Sequence, residues 1–239
     1  MIRAVFFDFY GTLADWPAAE DLQQDAAAAE GIAIERSAVA SAYRTANAYL
    51  DEENAKGHVR ERTQEERDAV FAEYERRLLA DAGAPDVSLD VAARVSERVR
   101  SAPEELQLLP GAEAALAELR GRGLTLGVIS NMGLELNGLL EGLGIGAYLP
   151  VRSCTATAGV SKPHPRIFQS ALTQARVRPD EAVHIGDSIP ADVEGARSAG
   201  IAPVLVQRAP GPRPPRGVPV MGSLTEAVAH VRSLLGSEG

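Results

Sequence analysis

Ile2-Arg3-Ala4-Val5-Phe6-Phe7-Asp8-Phe9-Tyr10-Gly11-Thr12-Leu13 joins a short apolar run to a carboxylate and a Gly-Thr turn. Residues 2–7 are rich in β-formers and predict a buried strand. Three further apolar runs, at residues 124–129, 182–185 and 202–206, read the same way. Helical stretches separate them. Residues 111–122 open at Pro110-Gly111, turn Leu116 and Leu119 inward and end at Gly121 and Gly123. Residues 165–175 and 191–199 are similar, the latter closed by Gly200. Strands alternating with helices through short connections predict an α/β fold with a parallel sheet between helices. Ligands of such sheets bind beyond the carboxyl ends of the strands, so the polar residues that follow each strand are the ones to inspect.

Residues 17–88 interrupt this pattern. They hold 3 of the 22 glycines and 2 of the 15 prolines, on a background of Ala, Glu, Arg and Leu. Those side chains lose little freedom in a helix, so the stretch reads as helical. Breaks at Gly31, at Lys56-Gly57 and at Gly83-Ala84-Pro85 divide it into three segments. With 16 acids and 8 bases it carries nearly all of the net charge of −9. The expected organisation is a core of residues 1–15 and 89–239 with a helical module, 16–88, inserted after the first strand. Residues 207–219, with five prolines and three arginines, read as a stiff surface connection. A last strand at 218–221 and a closing helix at 225–235 follow.

The 239 residues suit one core domain with a sizeable insertion. A composition 45% hydrophobic and 24% charged excludes wholesale disorder. The charge of −9 speaks against sequence-independent binding to nucleic acid or to an anionic membrane. The single cysteine, Cys154, excludes a disulfide framework and a multi-cysteine metal site. The apolar run before Asp8 is too short for a signal peptide or a spanning helix, and nothing later approaches one. The expectation is a soluble cytoplasmic protein, monomeric or homodimeric, acting on a small molecule.

Each strand end carries chemistry. The first gives Asp8, the second Ser130-Asn131, residue types that bind an anion through a hydroxyl and an adjacent backbone N–H. Lys162 stands in Gly159-Val-Ser-Lys-Pro-His-Pro-Arg-Ile-Phe168, one of only two lysines in an arginine-rich chain. The fourth strand ends in Gly186-Asp187-Ser188-Ile189-Pro190-Ala191-Asp192, which places Asp187 in the loop and Asp192 in the first helical turn. Each has a bland alternative as a turn former or helix cap. Together they bring three acids, a serine and a lysine to one sheet edge. Three converging carboxylates repel one another unless a hard cation lies between them, and Mg²⁺ suits that role with phosphate oxygens completing its shell.

These four segments, in this order, resemble the signature of the haloacid dehalogenase-like (HAD) hydrolase superfamily, and the insertion resembles its helical cap. The resemblance spans nearly the whole chain and implies a Rossmann-like parallel-sheet core with an inserted α-helical cap domain. It implies that Asp8 is a nucleophile forming an aspartyl-enzyme intermediate. It further implies that Lys162 and Ser130 hold the transferred group, with Thr12 and Asn131 also binding substrate. Mg²⁺ is then expected on Asp8, on the backbone carbonyl of Tyr10 and on Asp187, supported by Asp192.

One position departs from the phosphatases of that superfamily. Where they carry a second Asp as general acid–base, this chain has Tyr10, a form that resembles the 2-haloacid dehalogenases. Those dehalogenases differ in having a small polar residue in place of Asp187 and a tyrosine in place of Phe168. Retention of Asp187 and Asp192 favours Mg²⁺-dependent phosphoryl transfer, on a phosphate ester or acyl phosphate with a good leaving group. The 2-haloacid dehalogenase is the runner-up, and a non-catalytic binding protein of the same fold is the third reading. His184 is expected to be a satisfied core histidine. His58, Arg60, Arg62 and Arg44 are candidates to contact a substrate anion, and Trp16 reads as a hinge-packing residue.

Overall fold

The computed structural model describes residues 1–16, 19–101, 106–208 and 211–236. Contacts divide the chain into two units, Met1–Asp15 with Leu106–Gly239, and Trp16–Glu105. The chain enters through β1 (Ala4–Phe7) and β2 (Ala14–Asp15). Among the described residues four α-helices follow: α1 (Ala19–Ala29), α2 (Arg36–Lys56), α3 (Gln64–Asp81) and α4 (Leu89–Ser101). The chain returns through β3 (Gln107–Leu108), α5 (Ala112–Gly121), β4 (Thr125–Ser130), α6 (Leu136–Gly142) and β5 (Val151–Cys154). It closes with α7 (Thr155–Ala158), α8 (Pro165–Ala175), β6 (Ala182–Gly186), α9 (Gly195–Ser198), β7 (Ala202–Val206), β8 (Val220–Met221) and α10 (Leu224–Gly236).

Six strands form one sheet in the order β5-β4-β1-β6-β7-β8, and every pairing in it is parallel. This is the Rossmann-like α/β core. The central β1 alternates: Val5 and Phe7 face a layer containing Leu116 and Leu119 of α5 and Val228 and Val231 of α10. Ala4 and Phe6 face the other layer, with Ile167, Phe168 and Leu172 of α8. Burial of both faces is why these strands are continuous apolar runs. β2 and β3 pair separately and antiparallel, Ala14 opposite Leu108.

The helical unit has its own core of Ala27, Val39, Ala46, Leu78, Leu79, Ala92 and Val95. The expected boundary at residue 88 moves: α4 belongs to this unit, because Ala92 and Val95 complete that core. The three expected segments correspond to α1, α2 and α3. Thr63 starts α3 through a reciprocal box, its hydroxyl accepting from the Glu66 N–H at 3.3 Å and Glu66 Oε2 accepting from the Thr63 N–H at 2.8 Å. In the core unit, β5 and the β2–β3 pair were not expected. The expected helix at 191–199 opens as a π-helical turn, Ile189–Glu194, before α9. Within the Pro-rich stretch, residues 209 and 210 lie outside the described residues. Among the described residues no helix is long and apolar enough to cross a membrane.

Candidate active site

Parallel β1, β4 and β6 end side by side, so the residues after them converge at one sheet edge. Asp8 follows β1 and is 7% exposed. Its Oδ1 accepts a hydrogen bond from the Lys162 ammonium, and its Oδ2 accepts from the Thr12 hydroxyl at 3.4 Å. Lys162 is 2% exposed and donates also to Asp192 Oδ1 at 2.7 Å. Asp192, 1% exposed, has both oxygens engaged: Oδ1 by Lys162 and His184 Nε2, the latter at 2.9 Å, and Oδ2 by the Ser188 N–H at 3.0 Å. A buried lysine thus bridges two buried acids.

The π-helical turn makes this geometry. The Ser188 carbonyl accepts from both Asp192 N–H and Val193 N–H, at 2.9 and 3.2 Å, while the Ser188 hydroxyl caps the Ala191 N–H. The widened turn sends Asp192 back beneath Gly186, where any Cβ would overlap its carboxylate. Gly11 is equally constrained. It has φ +74°, and a Cβ there would overlap the Asp187 carboxylate. Glycine at both positions lets the three acids approach, and one carboxylate oxygen from each of Asp8, Asp187 and Asp192 lies within 4.8 Å of the others.

Electrostatics separates their roles. Burial pushes the Asp8 carboxyl up, an effect Lys162 opposes and Asp192 reinforces. Asp192 suffers the same desolvation, yet the Lys162 charge and the His184 hydrogen bond hold it well below the ordinary carboxylate range. Desolvation would lower Lys162, but Asp192 and Asp8 together raise it, so it stays a cation. Asp187 is exposed as a residue, and desolvation followed by repulsion from Asp8 and Asp192 raises it well above the ordinary value. An acid driven up mainly by desolvation and like charge is one that a cation would return to the ionised form. The donor set of hard oxygens therefore fits Mg²⁺, with Asp8 and Asp187 as the carboxylates available to it.

The other expected residues are placed as follows. Thr12 is fully buried, and its hydroxyl donates to the Asp8 carboxylate. Asn131 spends its amide on the Lys162 backbone, accepting from the Lys162 N–H at 2.6 Å and donating to the Lys162 carbonyl at 3.3 Å. It holds the lysine loop, whose Lys162–Pro163 peptide is cis. Asp192, expected to support the metal, lies with Asp8 and Asp187 and also pairs with Lys162. Ser130 lies at the end of β4 and is buried. Tyr10 is half-buried with its ring packed edge-on to Phe9 at 5.0 Å. In the helical unit Arg62 is bound to the carboxylate and carbonyl of Glu53, both at 2.7 Å, and Arg44 to Ser41 at 2.8 Å.

Arg208, two residues after β7, was missed from the sequence. Its guanidinium donates to the Gly11 carbonyl and, at 3.1 Å, to the Thr12 carbonyl, clamping the turn that follows Asp8. Burial lowers its pKa, opposed by the charges of Asp187 and Asp15. No spacing rule links an arginine to backbone carbonyls nearly two hundred residues away.

A carboxylate, a buried lysine and further acids thus meet at the carboxyl edge of a Rossmann-like sheet. The model of the haloacid dehalogenase-like hydrolases matches residues 2–200, and the chain belongs to that family. It is 44% identical over 114 residues to haloacid dehalogenase-like hydrolase domain-containing protein 3 of Bos taurus, covering 48% of this chain and 44% of that protein. It is 36% identical over 154 residues to a phosphoserine phosphatase of Thermus thermophilus, covering 64% of this chain and 59% of that one. The chain thus spans about half the length of the curated relatives it matches. The L-2-haloacid dehalogenase of Xanthobacter autotrophicus shares the fold, with a TM-score of 0.67 at 20% identity over 98% of this chain and 100% of that one.

Proposed function

We propose that this hydrolase is a Mg²⁺-dependent phosphatase of small molecules, acting through Asp8 with the helical unit as its cap. The observation that carries the reading is Asp187, an acid brought to Asp8 at a sheet edge that already holds Lys162. Halide displacement from carbon has no use for a second acid there. A phosphoryl group carries negative charge that must be neutralised before a carboxylate can attack it. The phosphatase relative supports the same substrate class.

Asp8 supplies the nucleophilic oxygen, and Thr12 and Lys162 fix its orientation from either side. Lys162 offsets charge on the phosphoryl oxygens, and Ser130 at the end of β4 contributes a hydroxyl to them. Asn131 holds the Lys162 backbone in place. Mg²⁺ held by Asp8, Asp187 and the Tyr10 carbonyl would add charge neutralisation at the transferred group. Water then cleaves the aspartyl phosphate and regenerates Asp8. Tyr10 stands where a carboxylic acid would protonate the leaving group, and a phenol is a weaker acid than a carboxyl. Absence of a positioned acid costs about 10²–10⁴-fold. Turnover is therefore fastest on acyl and aryl phosphates, whose leaving groups need no proton.

The test is one plate of wild type and Asp8→Asn, with and without Mg²⁺ or EDTA. Phosphate release is followed from acetyl phosphate, an aryl phosphate and a sugar phosphate, and halide release from 2-chloropropionate. Mg²⁺-dependent phosphate release, lost in Asp8→Asn and at least ~10²-fold faster on the activated substrates, is the expected result. Metal-independent halide release would reverse the reading in favour of the dehalogenase that Tyr10 suggests.

A further inference from the structure

We infer that His184 is a positioning residue, whose Nε2–H fixes the Asp192 carboxylate and through it sets the Lys162 ammonium against Asp8. The inference deepens the proposed role of Lys162 and rests on it. His184 lies in the middle of β6, in register with Phe6 of β1 and Pro203 of β7, and is fully buried. It shares its sheet face with Phe6 and meets the edge of the Phe168 ring at 5.2 Å.

The polar accounting shows what the imidazole contributes. Nε2 bonds Asp192 Oδ1 at 2.9 Å. Nδ1 has no partner, and among the described residues it is the one buried side-chain nitrogen or oxygen left so. An unsatisfied buried polar atom is destabilising, and leucine or phenylalanine would remove it. With no acceptor in reach of Nδ1, the proton belongs on Nε2, where Asp192 accepts it. The net gain over an apolar residue is one directed donor aimed at Asp192.

That donor matters because Asp192 Oδ1 is shared. It takes Lys162 Nζ at 2.7 Å and His184 Nε2 at 2.9 Å, while Ser188 N–H holds Oδ2. Three donors from three separate segments fix the plane of the carboxylate. Without His184 the carboxylate can rotate about its remaining contacts and carries its full charge toward Lys162. The ammonium is then drawn from Asp8 toward Asp192.

The chain has only two lysines, so ¹⁵N-lysine labelling reads Lys162 directly beside the exposed Lys56. The variants are His184→Leu, His184→Phe and His184→Gln, the last able to present an amide N–H near the position of Nε2. In the apolar variants the Lys162 ammonium signal shifts from its wild-type position, as an ammonium displaced from Asp8 toward Asp192 requires. Their kcat on acetyl phosphate falls about 10- to 100-fold with KM within about threefold. His184→Gln recovers most of both. An unchanged Lys162 signal with unchanged kcat in a folded apolar variant overturns the inference, as does equal loss in His184→Gln. If wild type hydrolyses no phosphate, the phosphatase reading fails while the Lys162 signal still decides the role of His184. If neither apolar variant folds, the imidazole nitrogens of wild type decide: a proton on Nε2 upholds the inference, and one on Nδ1 overturns it.

Discussion

Asp192 in the core unit and Glu75 in the helical unit are both buried carboxylates, 1% and 3% exposed, and their surroundings treat them in opposite ways. Asp192 meets an ammonium, an imidazole N–H and a backbone N–H, and it is held ionised. Glu75, on α3, receives one hydrogen bond, from the neutral Gln23 amide of α1, and Tyr43 of α2 donates to the other end of that amide at 3.3 Å. Desolvation dominates there and pushes the Glu75 carboxyl up to about 7, with Gln23 and the charge of Arg100 on α4 pulling the other way. Burial alone therefore says little about charge state. The donors that face the group decide it.

The contrast breaks most visibly at the cation. Lys162→Met leaves Asp8 and Asp192 buried with no counter-ion, and loss of one partner from a buried pair costs about 3–5 kcal/mol. Chemical denaturation of the core unit at neutral pH should show a loss of that size, together with loss of turnover. Pairing it with Asp192→Asn should recover part of the stability, because the two changes share one interaction. A Lys162→Met variant as stable as wild type would mean that the acids are not held ionised by the lysine.

The sheet was legible because burial on both faces turns strands into apolar runs, and a carboxylate directly after such a run is conspicuous. That logic located Asp8, Ser130, Asp187 and Asp192, and arginine-rich composition made Lys162 stand out. It failed at β5, where Arg152 interrupts the run. The Arg152 guanidinium turns away to Asn137, Glu141 and the Gly146 carbonyl, which a period-two pattern does not show. It also failed at α4, because Gly83-Ala84-Pro85 read as the end of the helical module although Ala92, Val95 and Val99 repeat at helical spacing. The orientation of side chains was least legible. Thr12 and Asn131 are the residue types that bind anions, and only the fold shows them turned onto Asp8 and Lys162. His184 was expected to be satisfied, and only its Nε2 finds a partner, Asp192 of the π-helical turn.

The smaller effect belongs to Glu75. With a value near 7 in the fold against an ordinary 4.5, the folded unit binds more protons than the unfolded chain between those two pH values. Stability of the helical unit is therefore greatest below about pH 4.5 with respect to this group, falls as pH rises to about 7, and levels off above. The full difference is on the order of 3 kcal/mol as an upper bound, since each tenfold change in proton affinity is worth about 1.4 kcal/mol. Glu75→Gln keeps the shape, keeps an acceptor for Gln23 and removes the charge. Denaturation at pH 5 and pH 8 should find the variant more stable than wild type at pH 8 and no more stable at pH 5. Parallel curves for the two proteins would place the negative charge of Glu75 on Arg100 after all, and the contrast with Asp192 would then be one of degree.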